Sequence, residues 1–125
     1  VIAYNAPFEK GVLRELAAIF PNLKDGLLDM AQRTVDLLPV TRNHWYHRDQ
    51  RGSWSIKAVL PTMTSLDYSS LEVKDGTGAQ EAYLEAIRPD TSDERRTFLS
   101  DGLKKYCAQD TWAMVAMARF LSAAA

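Results

Sequence analysis

Cysteine, long apolar runs and a targeting signal are all scarce or missing in this chain. Its 125 residues include one cysteine, Cys107, so a disulfide framework or a cysteine-rich zinc site within the chain is excluded. No apolar run approaches the ~20 residues of a membrane-spanning helix. Residues 1–4 do not resemble a signal peptide and look like a strand from the middle of a protein. We therefore expect a cytoplasmic protein with no membrane contact.

An excess of charge of either sign is also missing. Fifteen Lys and Arg residues stand against 16 Asp and Glu residues, which leaves a net charge of -1. Binding to nucleic acid through charge alone should be weak, although other parts of a longer protein can bind the substrate. Hydrophobic residues make up 46% of the chain, so we expect one packed domain over residues 1–125.

The first third of the chain has the apolar spacing of a strand followed by helices. Residues 1–4 form an apolar run that predicts a buried strand, and residues 7–20 have helical periodicity. Asn5 is in position to cap the first helix. A second helix is expected over residues 23–38, closed by Pro39.

The remaining two-thirds is predicted to be mainly helical after a polar interruption. Residues 40–53 are expected to form a loop or an edge strand, and a short helix should begin after Ser53 or Ser55 and end at Pro61. A long connection over residues 62–78 follows. Helices are then expected over residues 79–87, from 93 toward 105 with Gly102 marking a kink, and from 106 to about 121 as a second helical segment.

Two short motifs contain residue types suited to phosphodiester chemistry. In residues 3–13 a predicted strand ends at Asn5, an aromatic Phe8 follows, and the acidic Glu9 comes at the start of a helix. In residues 106–111, Tyr106 and Asp110 lie four positions apart and therefore on one helix face. Carboxylates brought together from distant elements can hold the hard cations that activate a water for hydrolysis.

In this order, the two motifs resemble the second and third motifs of DEDD-type 3′–5′ exonucleases, the DnaQ-like and DNA-polymerase-I-like proofreading domains of the ribonuclease-H-like superfamily. Residues 52–60 resemble the Ser-Leu-Lys…Leu segment that often lies between these motifs. The resemblance spans essentially the whole chain, although about ten positions carry it. The chain is also similar to uncharacterised bacterial proteins.

The resemblance implies a fold, an activity and a set of site residues. The fold is α/β: the C-terminal portion of a ribonuclease-H-like fold, mostly helical with one or two strands retained. The activity is metal-dependent hydrolysis of phosphodiester bonds at single-stranded nucleic-acid ends with two Mg²⁺ or Mn²⁺ ions. Asp110 and Glu9 are then metal ligands, with Glu9 in an outer position, and Tyr106 positions the nucleophile. Asn5 and Phe8 contact the substrate.

The chain departs from the family pattern in two ways. Glu9 stands where the family usually has Asp, which lengthens the arm of the carboxylate by one methylene. The first motif, an Asp-x-Glu on an initial strand, has no counterpart here. We therefore expect a fragment that is inactive alone, completed by an upstream domain of the same protein. Its exposed sheet edge should be covered by that sequence or by a second copy.

The same residues also have plainer structural interpretations. Asn5 can be a helix cap, and Glu9 is favoured in a first helical turn by the helix dipole. Asp110 can be a solvated helix residue and Tyr106 a half-buried packing residue. These interpretations lead to the alternative function, a catalytically inert ribonuclease-H-like module that binds nucleic acid or protein, or a purely structural interaction domain.

A basic and aromatic segment over residues 42–51 leaves two alternatives open. The rings of Trp45 and Tyr46 can stack on bases while Arg42, Arg48 and Arg51 hold the phosphates of a single strand. The rings can equally cover the edge of the core while the arginines stay solvated. We assign Arg48 and Arg51 to substrate binding in the exonuclease hypothesis.

Three remaining features receive structural interpretations. His44 and His47 lack a nearby cysteine or a second histidine pair, so we expect surface loop residues and not a metal site. Cys107 is expected to be a buried small apolar residue. Arg33 and Asp36 are expected to form a local surface ion pair.

Overall fold

The computed structural model describes residues 1–124 of the protein and has a helix-rich α/β architecture. Within those residues there are two strands, six α-helices and two short 3-10 turns, at Pro21–Leu23 and Arg48–Gln50. In chain order the strands and α-helices are β1 (Ile2–Ala3), α1 (Pro7–Ile19), α2 (Lys24–Arg33), β2 (Val35–Asp36), α3 (Leu37–His44), α4 (Ile56–Met63), α5 (Gly76–Ala86) and α6 (Asp93–Ala124). The expected α/β class with few strands is therefore confirmed. None of these helices is both long and apolar enough to cross a membrane.

The chain divides into two compact units. The first contains Val1–Thr64 and the last part of α6 from Met114 onward, and the second contains Ser65–Ala113. Helix α6 thus contributes residues to both units. Val59, Leu60 and Met117 are completely buried side chains of the first unit. In the second unit the buried core cluster is Val73, Ala82, Ala86 and Leu99.

The two strands form a small parallel sheet. Ile2 pairs with Val35 and Ala3 with Asp36, so α1 and α2 form the crossover between β1 and β2. Parallel strands require a crossover of this kind, usually through a helix. The predicted helix over residues 23–38 is therefore wrong in its second half. It ends at Arg33 because Thr34 adopts an extended backbone, with φ -73° and ψ 121°, and leads into β2.

Pro39 and Pro61 were each predicted to end a helix, but both lie within helices. Pro39 lies in the first turn of α3, where the missing N–H of proline costs no helical hydrogen bond. Residues 40–44, predicted as loop or edge strand, are consequently helical. Pro61 lies inside α4, which continues to Met63.

The C-terminal helix is continuous where a kink was expected. Helix α6 runs from Asp93 to Ala124 through Gly102. A Cβ atom at Gly102 would lie 3.6 Å from Cγ2 of Val73, so the position faces a packed neighbour. At this glycine α6 packs against the Val73 segment of the second unit without an interruption of the helix.

Candidate functional site

Asn5 turns the chain from β1 into α1. Its φ of 70° is in the left-handed region, which asparagine tolerates better than most residues. The N-cap of α1 is Ala6, so the prediction that Asn5 caps this helix is wrong. Instead, the backbone N–H of Asn5 donates to Oδ1 of Asp36 over 2.9 Å. Because Asp36 ends β2, this bond ties the ends of the two strands together.

Glu9 lies in the first turn of α1, as predicted, and one of its carboxylate oxygens is enclosed. The Oε2 atom is buried and has no hydrogen-bond partner among residues 1–124. A buried carboxylate oxygen is costly unless it is paired or coordinates a metal. Glu15 on the same helix is exposed, which shows that α1 does not bury its acidic side chains in general. Phe8, the neighbour of Glu9, is 71% exposed.

Asp110 and Tyr106 lie one turn apart on α6, in the second unit, and share a neighbour that the sequence did not indicate. The hydroxyl of the buried Tyr68 donates to Oδ1 of Asp110 over 2.7 Å. The rings of Tyr68 and Tyr106 have centroids 6.2 Å apart. Asp110 is therefore not a plain solvated residue.

The two phenols near Asp110 are held in their protonated form. Burial raises the pKa of Tyr68 far above its ordinary value, and the hydrogen bond to Asp110 raises it further. Burial is also the largest cause of the raised pKa of Tyr106, followed by the charge of Asp110. Tyr68 donates its only hydroxyl proton to Asp110, whereas the protonated phenol of Tyr106 can donate a hydrogen bond that orients a water or a phosphate oxygen.

The turn that carries Tyr68 is attached to α6. The side-chain amide of Gln109 donates to the backbone carbonyl of Asp67 over 3.0 Å. Oδ1 of Asp67 accepts from the backbone N–H of Ser69 over 2.9 Å and from its hydroxyl over 2.7 Å. These bonds lower the pKa of Asp67, so the carboxylate that closes the turn stays ionised. Gln109 and Asp110 together hold the Tyr68 turn on this side of the helix.

The predicted site residues are distributed over both units. Asn5, Phe8 and Glu9 belong to the first unit, and Tyr106 and Asp110 to the second. Across residues 1–124 there is no group of three or more His, Cys, Asp or Glu side chains placed to hold a metal ion. The described residues therefore do not by themselves fit the two-cation site that the resemblance implies.

The aromatic segment near residue 45 divides into a packing residue and a surface cluster. Trp45 donates from Nε1 to the hydroxyl of Thr62 over 3.1 Å and meets the ring of Phe120 edge-on at 4.8 Å. It therefore covers the core, which is one of the two alternatives. Tyr46 instead faces outward and approaches Trp54, with centroids 5.9 Å apart.

Trp54 is the aromatic residue that sequence reasoning missed. The guanidinium of Arg42 lies 6.0 Å from the centroid of its ring. We refer to Arg42, Tyr46 and Trp54 as the Trp54 cluster. Trp54 is the aromatic residue of the 52–60 segment, but nothing in that segment showed that Trp54, which lies just before α4, would lie beside Arg42 of α3.

The arginines and histidines near these aromatic residues lie at the surface or in a turn. Arg48, whose side chain is 92% exposed, lies 3.7 Å from Asp49, and Arg51 has a left-handed backbone with φ 49°. The ring nitrogen Nδ1 of His47 accepts the backbone N–H of Asp49 over 3.2 Å, so this histidine caps a turn. His44 is exposed at the end of α3.

Two expectations about side-chain surroundings are wrong. Cys107 is exposed on α6, because Tyr106 takes the position that faces the core. Arg33 pairs with Asp29, one turn earlier in α2, at 2.7 Å and not with Asp36. Asp36 is instead the N-cap of α3 and accepts the backbone N–H of Leu38.

The known proteins that the chain is similar to are described as uncharacterised or of unknown function. Residues 1–55 match the family model described as a domain of unknown function, DUF2779. Uncharacterized protein MG366 of Mycoplasma genitalium is 26% identical over 137 residues, covering 96% of this chain and 20% of that protein. Its homolog in Mycoplasma pneumoniae is 27% identical over 133 residues, with the same coverage of both chains. The chain thus spans about a fifth of the length of these relatives. No solved structure matches it.

Proposed function

We propose that the protein is the part of a metal-dependent 3′–5′ exonuclease of the ribonuclease-H-like superfamily that carries the second and third motifs. The observation that carries the proposal is the enclosed Oε2 atom of Glu9, which has no hydrogen-bond partner among residues 1–124. A bound cation would give this oxygen a partner. Glu9 lies in the first turn of α1, the helix that follows β1, and this location supports its assignment to the second motif.

The surroundings of Asp110 also support the proposal. Its Oδ1 is fixed by Tyr68, so the carboxylate has a defined direction, and Tyr106 lies one turn away as a protonated phenol. Supporting groups that orient a metal ligand are a regular feature of metal sites. In the proposal Asp110 binds metal and Tyr106 orients the attacking water at a single-stranded 3′ end.

The proposed cations, Mg²⁺ or Mn²⁺, need more ligands than residues 1–124 supply. Two cations would polarise the phosphoryl oxygen and activate the water when bound. We propose that sequence elsewhere in the full-length polypeptide provides the remaining carboxylates, in a cytoplasmic protein. The contribution of this chain is then Glu9, Asp110 and the phenol of Tyr106.

Digestion of a 3′-labelled single strand by the full-length polypeptide tests the proposal. With Mg²⁺ or Mn²⁺ present we expect stepwise shortening, abolished by Asp110→Ala and by Glu9→Gln. Asp101→Ala and Glu15→Gln are matched controls, because both remove an exposed carboxylate from the same two helices. Equal activity of Asp110→Ala and Asp101→Ala would exclude Asp110 from the metal site.

The second candidate is an inert module that binds nucleic acid without cleaving it. The Trp54 cluster favours it, because a cation and two aromatic rings suit binding and need no metal. Retained binding of a single strand without digestion, in the presence of either cation, would favour this function over the exonuclease.

A further inference from the structure

A groove in the first unit lies beside the Trp54 cluster. Its volume is about 490 Å³, and Tyr4, Arg42, Trp54 and Ser55 are among the residues that line it. Tyr4 directly follows β1, Arg42 belongs to α3, and Trp54 and Ser55 directly precede α4. Arg42 is the charged side chain among the lining residues, and the carboxylate of Asp36 lies behind them, bound to the backbone N–H of Asn5.

The Trp54 side of the groove is fixed before any ligand arrives. The backbone carbonyl of Trp54 accepts the hydroxyl of Tyr4 over 2.7 Å. The preceding turn is held by Gln50, which is 2% exposed: its Oε1 accepts the N–H of His47 over 2.8 Å, and its Nε2 donates to the carbonyl of Ser53 over 3.3 Å. A surface that is ordered in advance loses less conformational entropy on binding.

Arg42 gives this surface an available positive charge. It is exposed, and no carboxylate among residues 1–124 forms an ion pair with it. Its guanidinium is near the ring of Trp54, at 6.0 Å, so a phosphate that contacts Arg42 would lie within reach of the indole. Arginine is suited to such a pairing because its planar fork matches a phosphate with two hydrogen bonds.

Tyr46 extends the aromatic surface. It is 59% exposed, and its ring centroid is 5.9 Å from that of Trp54 at an angle of 53°. Two tilted, partly exposed rings beside a cation provide stacking faces for unpaired bases and a contact for the phosphate between them. The rings of a duplex are already stacked on each other, so a duplex offers no comparable fit.

We propose that this groove binds a single-stranded segment of nucleic acid, with a base against Trp54 or Tyr46 and a phosphate at Arg42. The inference rests on the proposed function for the kind of polymer that is bound. It depends on neither the metal nor the cleavage step. It also moves the binding surface from Arg48 and Arg51 to Arg42 and from Trp45 to Trp54.

Photo-crosslinking locates the bound strand directly. The full-length polypeptide is mixed with a single strand of iodouracil-containing DNA in EDTA, irradiated and digested, and the crosslinked peptides are identified by mass spectrometry. We expect crosslinks at Tyr46 or Trp54, reduced by an unlabelled single strand and not by a duplex. Crosslinks confined to other parts of the polypeptide would overturn the proposal.

Binding measured by fluorescence anisotropy in EDTA tests the individual side chains. Tyr46→Ala removes an exposed ring and should weaken binding about fivefold, the lower end of measured base-stacking effects. Tyr83→Ala is the matched control, because Tyr83 is 57% exposed on α5 in the second unit. Equal affinities of the two variants would contradict the role of Tyr46.

The salt dependence of binding tests the contribution of the charge of Arg42. Arg42→Gln should lower the slope of log affinity against log salt concentration by about 0.7, the value for one phosphate contact on a single strand. Arg14→Gln, which removes an exposed arginine of α1, should leave the slope unchanged. An unchanged slope in Arg42→Gln, with the circular dichroism of the wild type, would exclude a phosphate contact.

The two proposals fail in different ways. Crosslinks at the Trp54 cluster together with no digestion would uphold the groove and reject the exonuclease. Digestion that depends on Asp110, with crosslinks elsewhere and with normal binding by Tyr46→Ala and Arg42→Gln, would uphold the exonuclease and reject the groove.

Discussion

The hydroxyl of Tyr68 donates a hydrogen bond of 2.7 Å to Oδ1 of Asp110, 42 residues later in the chain. Tyr68 is 5% exposed, so its hydroxyl has little access to water as a substitute partner. The bond therefore has two effects: it satisfies a buried donor and it fixes one oxygen of the carboxylate proposed to bind metal.

Tyr68→Phe tests the contribution of this bond to stability. Loss of a hydrogen bond to a charged group should lower the free energy of unfolding of the chain by about 1.5 kcal/mol. Urea unfolding followed by circular dichroism measures the change. Tyr83→Phe, at a position 57% exposed on α5, is the control and should change the free energy of unfolding by less than about 0.5 kcal/mol. A wild-type midpoint in Tyr68→Phe would show that the bond does not form in solution.

Stability should fall as the half-buried phenol of Tyr4 and the buried phenol of Tyr68 ionise at alkaline pH. Burial raises the pKa of Tyr4 from 10.0 to about 12, and the pKa of Tyr68 is raised as well. Because the folded state holds these protons more tightly, the stabilisation is complete below the unfolded pKa of 10.0 and is lost as pH rises toward about 12.

The measurement is the urea midpoint as a function of pH for the wild type and Tyr4→Phe. The wild type should lose more stability over this pH range than Tyr4→Phe, because the variant lacks the phenol of Tyr4, whose pKa is raised in the folded state. Identical pH profiles would show that Tyr4 is not buried against the carbonyl of Trp54 in solution.

Features that depend on neighbouring residues in the chain were predicted correctly from the sequence. The helical spacing of residues 7–20 predicted α1 to within a residue at its end, and Tyr106 and Asp110 share a helix face as their spacing required. Prediction from the sequence failed at Val35, because a strand of two residues leaves no alternating pattern and its pairing with β1 depends on residues more than 30 positions away.

The same limit applies to the candidate site. Tyr68 lies in a stretch without periodicity, and nothing local relates it to Asp110. The choice between Trp45 and Trp54 as the surface aromatic depended on Phe120 and Thr62, which enclose Trp45 from distant parts of the chain. Residue types suggested candidate side chains, but contacts between distant parts of the chain determined which of them are packed and which are exposed.

Thr41 gives a prediction of increased stability. It is completely buried in α3, and its hydroxyl has no hydrogen-bond partner among residues 1–124. Thr41→Val keeps the branched shape and removes the unpaired hydroxyl, so the free energy of unfolding should rise by about 1 kcal/mol.

Thr34→Val is the matched control with the opposite sign. Thr34 is 5% exposed, and its hydroxyl donates to the carbonyl of Met30 over 2.7 Å. Its replacement should lower the free energy of unfolding by about 1 kcal/mol. If both variants lost stability in urea unfolding, the hydroxyl of Thr41 would have a partner in solution.

Substitutions at Gly102 distinguish a kinked helix, expected from the sequence, from the continuous α6 of the structure. In a continuous helix, Gly102→Ala should raise the free energy of unfolding by about 0.5–1 kcal/mol, because alanine loses less backbone entropy. The new methyl group would meet Cγ2 of Val73 at 3.6 Å and Cβ of Glu72 at 4.0 Å, both ordinary contact distances. Gly102→Leu is the contrasting variant: it has no room beside Val73 and should destabilise the chain by about 1–3 kcal/mol. A lower urea midpoint for Gly102→Ala would mean that α6 bends at this residue or packs more closely on Val73.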